Sequence, residues 1–157
     1  MVPYKKILTN IICTLQIILG SAALPAQSTQ GVPGENYVFT VQTIVPMRGS
    51  ARQETSGDYT LRVTPDSVIS YLPYFGRAYS ATIGTTDLAF QFNSTNFDYR
   101  VANRKKGGWD IVIKPKDVGE QPQLALTIFP GGTASLQVTS ANRDPITFNG
   151  TVESKKK

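Results

Sequence analysis

Histidine is absent from this 157-residue chain, and cysteine occurs once, at Cys13. The missing imidazole removes Ser-His and Cys-His nucleophilic catalysis, and the two shortages together remove the usual zinc sites. With no second cysteine there is neither a disulfide nor a thiol redox pair, so the packed core alone must hold the fold. Charge is sparse as well, at 17% of residues against 40% hydrophobic. What the chain does have is aromatic: seven Phe, seven Tyr and one Trp, enough to specify a packed core and not a disordered chain. The length suits one domain.

Residues 1–26 have the three parts of an export signal: Lys5 and Lys6, an apolar stretch from Ile7 to Leu24, and a small-residue exit. Two exits are open, after Ala26 with Leu24 at minus three, or after Ala23 with Ser21 there. Thr9, Asn10, Thr14 and Gln16 interrupt the apolar stretch short of the roughly 20 residues a membrane span needs, which favours a cleaved leader over a retained anchor. Cys13 follows Ile12 in mid-stretch, a poor setting for a lipidation cysteine. The expectation is an exported protein with no transmembrane segment in its mature form, periplasmic or extracellular in a Gram-negative bacterium.

The formal charge of +5 does not describe a basic domain. Setting aside Lys5, Lys6 and the tail lysines Lys155, Lys156 and Lys157 reduces the 16 basic residues to 11, equal to the 11 acidic ones. A nucleic-acid partner is therefore not expected. The run Arg104-Lys105-Lys106, just before Gly107-Gly108, reads as a solvated hairpin tip in preference to an anion site.

Residues 27–35 are a polar lead-in, residues 36–152 carry the domain, and residues 153–157 are a basic tail. Throughout the domain the apolar pattern has period two, with no helical stripe. Strands are predicted at 37–45, 59–64, 67–72, 88–94, 97–103, 109–114, 123–129, 133–139 and 146–152, separated by turn signals such as Thr64-Pro65-Asp66-Ser67 and Pro130-Gly131-Gly132. Phe90 and Phe92 face inward on one strand, and Phe97, Tyr99 and Val101 on the next, across a Thr95-Asn96 tip. Connections this short cannot join parallel strands. The fold class is all-β: an antiparallel meander of eight to nine strands closing into a small barrel or strongly curved half-barrel, with a two-sheet sandwich as the alternative.

The densest unusual segment runs from Tyr71 to Tyr79. Tyr71, Tyr74, Phe75 and Tyr79 surround Arg77 just past a strand end, where they would form either an aromatic lip over a ligand cavity or a plug buried across the barrel end. Carboxylates are the remaining acid–base groups, and Asp98 with Asp110 is the one cross-strand pair to consider for hydrolysis. Neither that pair nor any other group forms a catalytic constellation, no cluster has metal-ligand spacing, and no cofactor is implied. Ser67, within Asp66-Ser67-Val68, matches a short bacterial O-glycosylation acceptor and equally well an ordinary turn.

Pro46-Met47-Arg48-Gly49, Leu61 to Val68, Tyr71 to Tyr79, Lys106-Gly107-Gly108-Trp109, Ile113-Lys114-Pro115, Ser135-Leu136-Gln137-Val138 and Phe148-Asn149-Gly150 together resemble a family of exported bacterial proteins, the domain-of-unknown-function family numbered 4251. The resemblance spans about Asn36 to Val152 and implies export and a single domain, with no activity or catalytic residue attached. The functional expectation is a binding module for a small apolar or amphipathic ligand. The alternatives are an interaction domain that meets an envelope protein, and, less favoured, a carboxylate hydrolase.

Overall fold

In the computed structural model of the protein, residues 36–75 and 89–154 are described. The alternation becomes ten strands: β1 (Tyr37–Pro46), β2 (Arg52–Gln53), β3 (Thr60–Val63), β4 (Val68–Pro73), β5 (Ala89–Ser94), β6 (Phe97–Asn103), β7 (Trp109–Pro115), β8 (Gln123–Ile128), β9 (Thr133–Ser140) and β10 (Arg143–Ser154). Nine of them form one path, β5-β4-β3-β1-β10-β9-β8-β7-β6, with β2 paired to β1 at its side. The sheet curls until it is nearly a barrel, with an unsealed seam between β5 and β6. Among the described residues no helix is long and apolar enough to cross a membrane.

Period two puts one set of side chains inside the curl. Tyr37, Phe39, Leu61, Leu72, Ile111, Ile113, Leu124, Leu126, Leu136, Ile146 and Phe148 are fully buried there, drawn from both halves of the chain. The two halves of the chain are joined by its first and last long strands, since β1 pairs with β10 from Tyr37 against Ser154 to Pro46 against Ile146. A bulge between Val41 and Thr43 shifts the phase, so Tyr37, Phe39 and Val41 point inward before it and Ile44 and Pro46 after it. The extra residue also bends β1, which helps the sheet to close.

Two expectations need correction. The expected strands leave residues 46–58 without one, but β2 lies there, where Thr43 faces Gln53 and Ile44 faces Arg52. More importantly, β5 and β6 do not form a hairpin at Thr95-Asn96. Every neighbouring pair along the nine-strand path is antiparallel, so direction alternates and the two end strands point the same way. Strands that share a direction and lie two residues apart are one strand running on. The chain leaves its partner β4 at Ser94, turns a corner, and takes β7 as partner from Phe97.

Candidate functional site

β1 and β4 run in the same direction, while β10 and β5 run against them, so the residues after Pro46 and Pro73 meet the starts of β10 and β5 at one end of the barrel. Tyr74 turns inward there and is 2% exposed. Its ring meets Phe90 edge-on, with centroids 5.4 Å apart and an interplanar angle of 81°. The Arg143 guanidinium lies 5.2 Å from the Tyr74 centroid and 5.4 Å from that of Phe90, within cation–π range of both. The Tyr74 hydroxyl donates to the Asp144 backbone carbonyl at 3.3 Å.

Glu120, in the link between β7 and β8, holds Arg143 by two bonds, Nε to Oε2 at 2.9 Å and Nη2 to Oε1 at 3.3 Å. A two-pronged grip fixes the plane of the guanidinium as well as its position. Glu120 achieves it from a left-handed backbone, φ 59°, followed by Gln121 at φ 39°, a conformation that non-glycine residues adopt at a cost. Asp144, also buried, lies 3.9 Å from Arg48 Nε. The barrel end is thus sealed by a stacked layer of Tyr74, Phe90 and Arg143, neutralised by Glu120.

Beyond that layer the described side chains are mixed in character. Phe75 is 39% exposed, and the Arg52 guanidinium sits 4.6 Å from its centroid. Met47 is 63% exposed at the end of β1. Tyr71 lies apart from them, on the outer face of β4, where it stacks on Tyr59 with centroids 6.1 Å apart. Of the expected aromatic segment, then, Tyr74 is in the plug, Phe75 is partly exposed beyond it and Tyr71 is on the outer face; Arg77 and Tyr79 lie outside the described residues. The cation stacked on the buried tyrosine is Arg143, some 70 positions along the chain, whose side chain carried no signal of this role in the sequence.

The corner between β5 and β6 is built on Asp117. Its carboxylate accepts the Thr95 N–H at 2.9 Å, the Asn96 N–H at 3.1 Å and the hydroxyl of the buried Ser94. The Ser94 bond is the largest cause, with the backbone bonds adding, of a pKa held down to about 2, well below the ordinary carboxylate value of 3.8. The unfolded chain therefore binds this proton near 3.8 and the folded one only near 2. The stabilisation is complete above the first value and is lost as pH falls through the second. Urea midpoints of the protein are expected to fall between about pH 4 and about pH 2, with a shallower decline in Asp117→Asn. Asp98 and Glu54, also held below their ordinary values, leave some decline in the variant. An unchanged profile would remove Asp117 from the corner.

Asp98 and Asp110 are not a pair. Asp98 faces Lys114 and bonds Lys116, while Asp110 faces Ala102, four residues or about 13 Å further along β6, and takes a bond from Thr127 at 2.8 Å. The Lys116 bond also holds the Asp98 carboxyl down, the opposite of what a general acid requires. Among the described residues no group of three or more His, Cys, Asp or Glu could hold a metal ion. Arg104 folds back over the Phe129 ring at 4.8 Å, leaving Lys105 and Lys106 as the solvated tip. The Ser67 hydroxyl lies 2.9 Å from that of Thr64 in the β3–β4 turn. A shallow hollow of about 260 Å³ on the outer face is lined by Asp98, Arg100, Val112, Lys114 and Gln123.

An all-β, nearly closed antiparallel barrel whose one end is plugged by a stacked Tyr–Arg–Phe layer is the class that this geometry defines. The family model for a domain of unknown function, DUF4251, matches residues 21–152, and the chain belongs to that family. Its fold is similar to the crystal structure of a DUF4251 family protein from Bacteroides eggerthii DSM 20697, with a TM-score of 0.54 and 14% identity over 76% of this chain and 80% of that one. That likeness concerns the fold alone. No curated protein matches the chain.

Proposed function

We propose that this protein is an exported binding module that takes a small apolar or amphipathic molecule at the plugged barrel end, beside Phe75 and Arg52. The observation that carries the reading is the pairing of apolar and cationic groups above the plug: Phe75 beneath Arg52, with Met47 and Arg48 exposed at the end of β1. An apolar surface beside guanidinium groups suits an amphipathic molecule with an acidic head, because burial of the tail and a charge-assisted bond to the head act together. The plug supplies a rigid floor, so the ligand would sit on the end and not in the core. Export rests on the leader of residues 1–26, and the envelope of a Gram-negative bacterium is the setting it implies.

Native mass spectrometry of the protein purified after export from its own host tests this directly. The expected result is a reproducible added mass that disappears on denaturation, with occupancy at least about tenfold lower in Arg52→Ala/Phe75→Ala. A bare mass for the unaltered protein, or equal occupancy in the variant, would overturn the site. A mature chain that still carries its leader would overturn export.

A further inference from the structure

We infer that the free edge of β6 pairs with the same strand of a second copy, giving a two-fold dimer centred on Tyr99. Among the described residues β6 has a strand partner on one side only, β7, and β5 ends at the corner before β6 begins. An unpaired edge carries a row of donors and acceptors that templates further pairing.

Which residues present those groups follows from two bonds that bracket the strand. The Lys116 N–H donates to the Asn96 carbonyl at 2.8 Å, and the Arg104 N–H donates to the Gly108 carbonyl at 3.1 Å. In an antiparallel ladder bonded residues alternate, so Asp98, Arg100 and Ala102 also turn their backbone groups toward β7. Phe97, Tyr99, Val101 and Asn103 turn theirs to the open side.

The side chains then select the register. A two-fold axis normal to the sheet must keep inner-face residues opposite inner-face residues, which leaves a short series of choices. Centring on Asp98 or on Arg100 sets like charges directly against each other. Centring on Tyr99 sets Asp98 of each copy against Arg100 of the other in a non-bonded pair, where side chains approach most closely. The same register sets Phe97 against the second copy's Val101, and Tyr99 against its counterpart, all three pairs being ones that exchange N–H and C=O. Centring on Val101 avoids the clash but sets Arg100 against Ala102 and gains no opposite charge within the strand.

Burial on this strand is consistent with a missing neighbour. Most inner-face residues elsewhere in the barrel are fully covered, Phe92 and Trp109 excepted; Phe97 and Tyr99 are only partly so and Val101 is 41% exposed, although its partner Ile111 is completely buried. Pairing about Tyr99 lays Phe97 of one copy beside Val101 of the other and covers both. The interface is the edge of β6, an element that does not neighbour the β4 end carrying Phe75 in the sheet.

Sedimentation velocity of the full chain as produced by an exporting host, between about 1 and about 500 µM, is expected to show a monomer–dimer equilibrium. Val101→Pro removes a donor from the open side and leaves the ladder to β7 intact, so the dimer is expected to weaken at least about tenfold while the circular dichroism stays that of the unaltered protein. Arg100→Asp and Asp98→Arg provide a second test that does not depend on proline. Each alone brings like charges together and is expected to be monomeric; mixed, they restore both opposite-charge contacts and are expected to form a heterodimer. A protein that is monomeric throughout the range would overturn the inference. So would a dimer indifferent to Val101→Pro, or charge variants that fail to complement one another.

Discussion

Gly150→Ala is expected to lose at least about 4 kcal/mol of stability, and Gly150→Val to leave no folded protein, because neither side chain has anywhere to go. Gly150 is on the inner face of β10 opposite Val41, at the start of the bulge by which β1 bends. A Cβ built there would lie 1.9 Å from the Thr40 carbonyl oxygen, 2.9 Å from its carbon and 3.2 Å from the Phe39 ring. The obstruction is backbone of the adjacent strand, which cannot rotate aside as a side chain can. Relief would require β1 and β10 to separate, and that pairing is what joins the two halves of the sheet. Gly131 is the informative contrast. Its Cβ would meet nothing within 4 Å, so Gly131→Ala is charged only with its left-handed backbone, φ 92°, a cost of about 1 kcal/mol. Urea unfolding followed by the fluorescence of the single tryptophan, Trp109, compares the two. A Gly150→Ala loss no larger than that of Gly131→Ala would mean that the strands are not in close contact at Thr40.

The contrast with Gly131 also shows which features were legible in the chain. Turn glycines announce themselves through their neighbours, as in Pro130-Gly131-Gly132, and strands through alternation, so nine of the ten strands and the antiparallel sheet followed from local pattern, while the barrel-like curl was one of two forms it allowed. Gly150 sits inside an alternating run with no turn residue beside it, and its role depends on a strand more than 100 positions away. The corner at Ser94 to Asn96 was hidden for the same reason. Thr95-Asn96 between two aromatic strands has the composition of a hairpin tip, and what prevents the hairpin is a carboxylate from Asp117 that no local rule connects to it. The candidate site was legible only in part. A ring-rich stretch after a strand signals an unusual barrel end, but whether a ring is plug or lip depends on what comes to meet it. For Tyr74 that is Arg143 and Glu120, from a strand start and a loop whose residues look like ordinary solvated charge.

Tyr74→Ala is expected to cost about 3–5 kcal/mol, the range for truncating a large buried ring that leaves a cavity in a site unable to collapse. Three contacts would be lost together: the edge-on contact with Phe90, the face under Arg143, and the hydroxyl bond to the Asp144 carbonyl. The void would also leave Arg143 with less of the apolar support that makes its partly buried charge tolerable beside Glu120. Tyr74→Phe separates the hydroxyl from the ring and is expected to cost only about 1 kcal/mol, the usual net contribution of one hydrogen bond. The pair of variants distinguishes two uses of one aromatic segment. A plug residue loses stability in proportion to the ring removed, whether or not a ligand is present. A lip residue such as Phe75, with Arg52 on one face and water on another, is expected to change stability by less than about 1 kcal/mol when truncated and to act on binding instead. Denaturation midpoints of Tyr74→Ala, Tyr74→Phe and Phe75→Ala, measured side by side, decide the matter. If Tyr74→Ala proved as stable as Phe75→Ala, the barrel would not be sealed at this end, and the floor on which the proposed ligand rests would be gone.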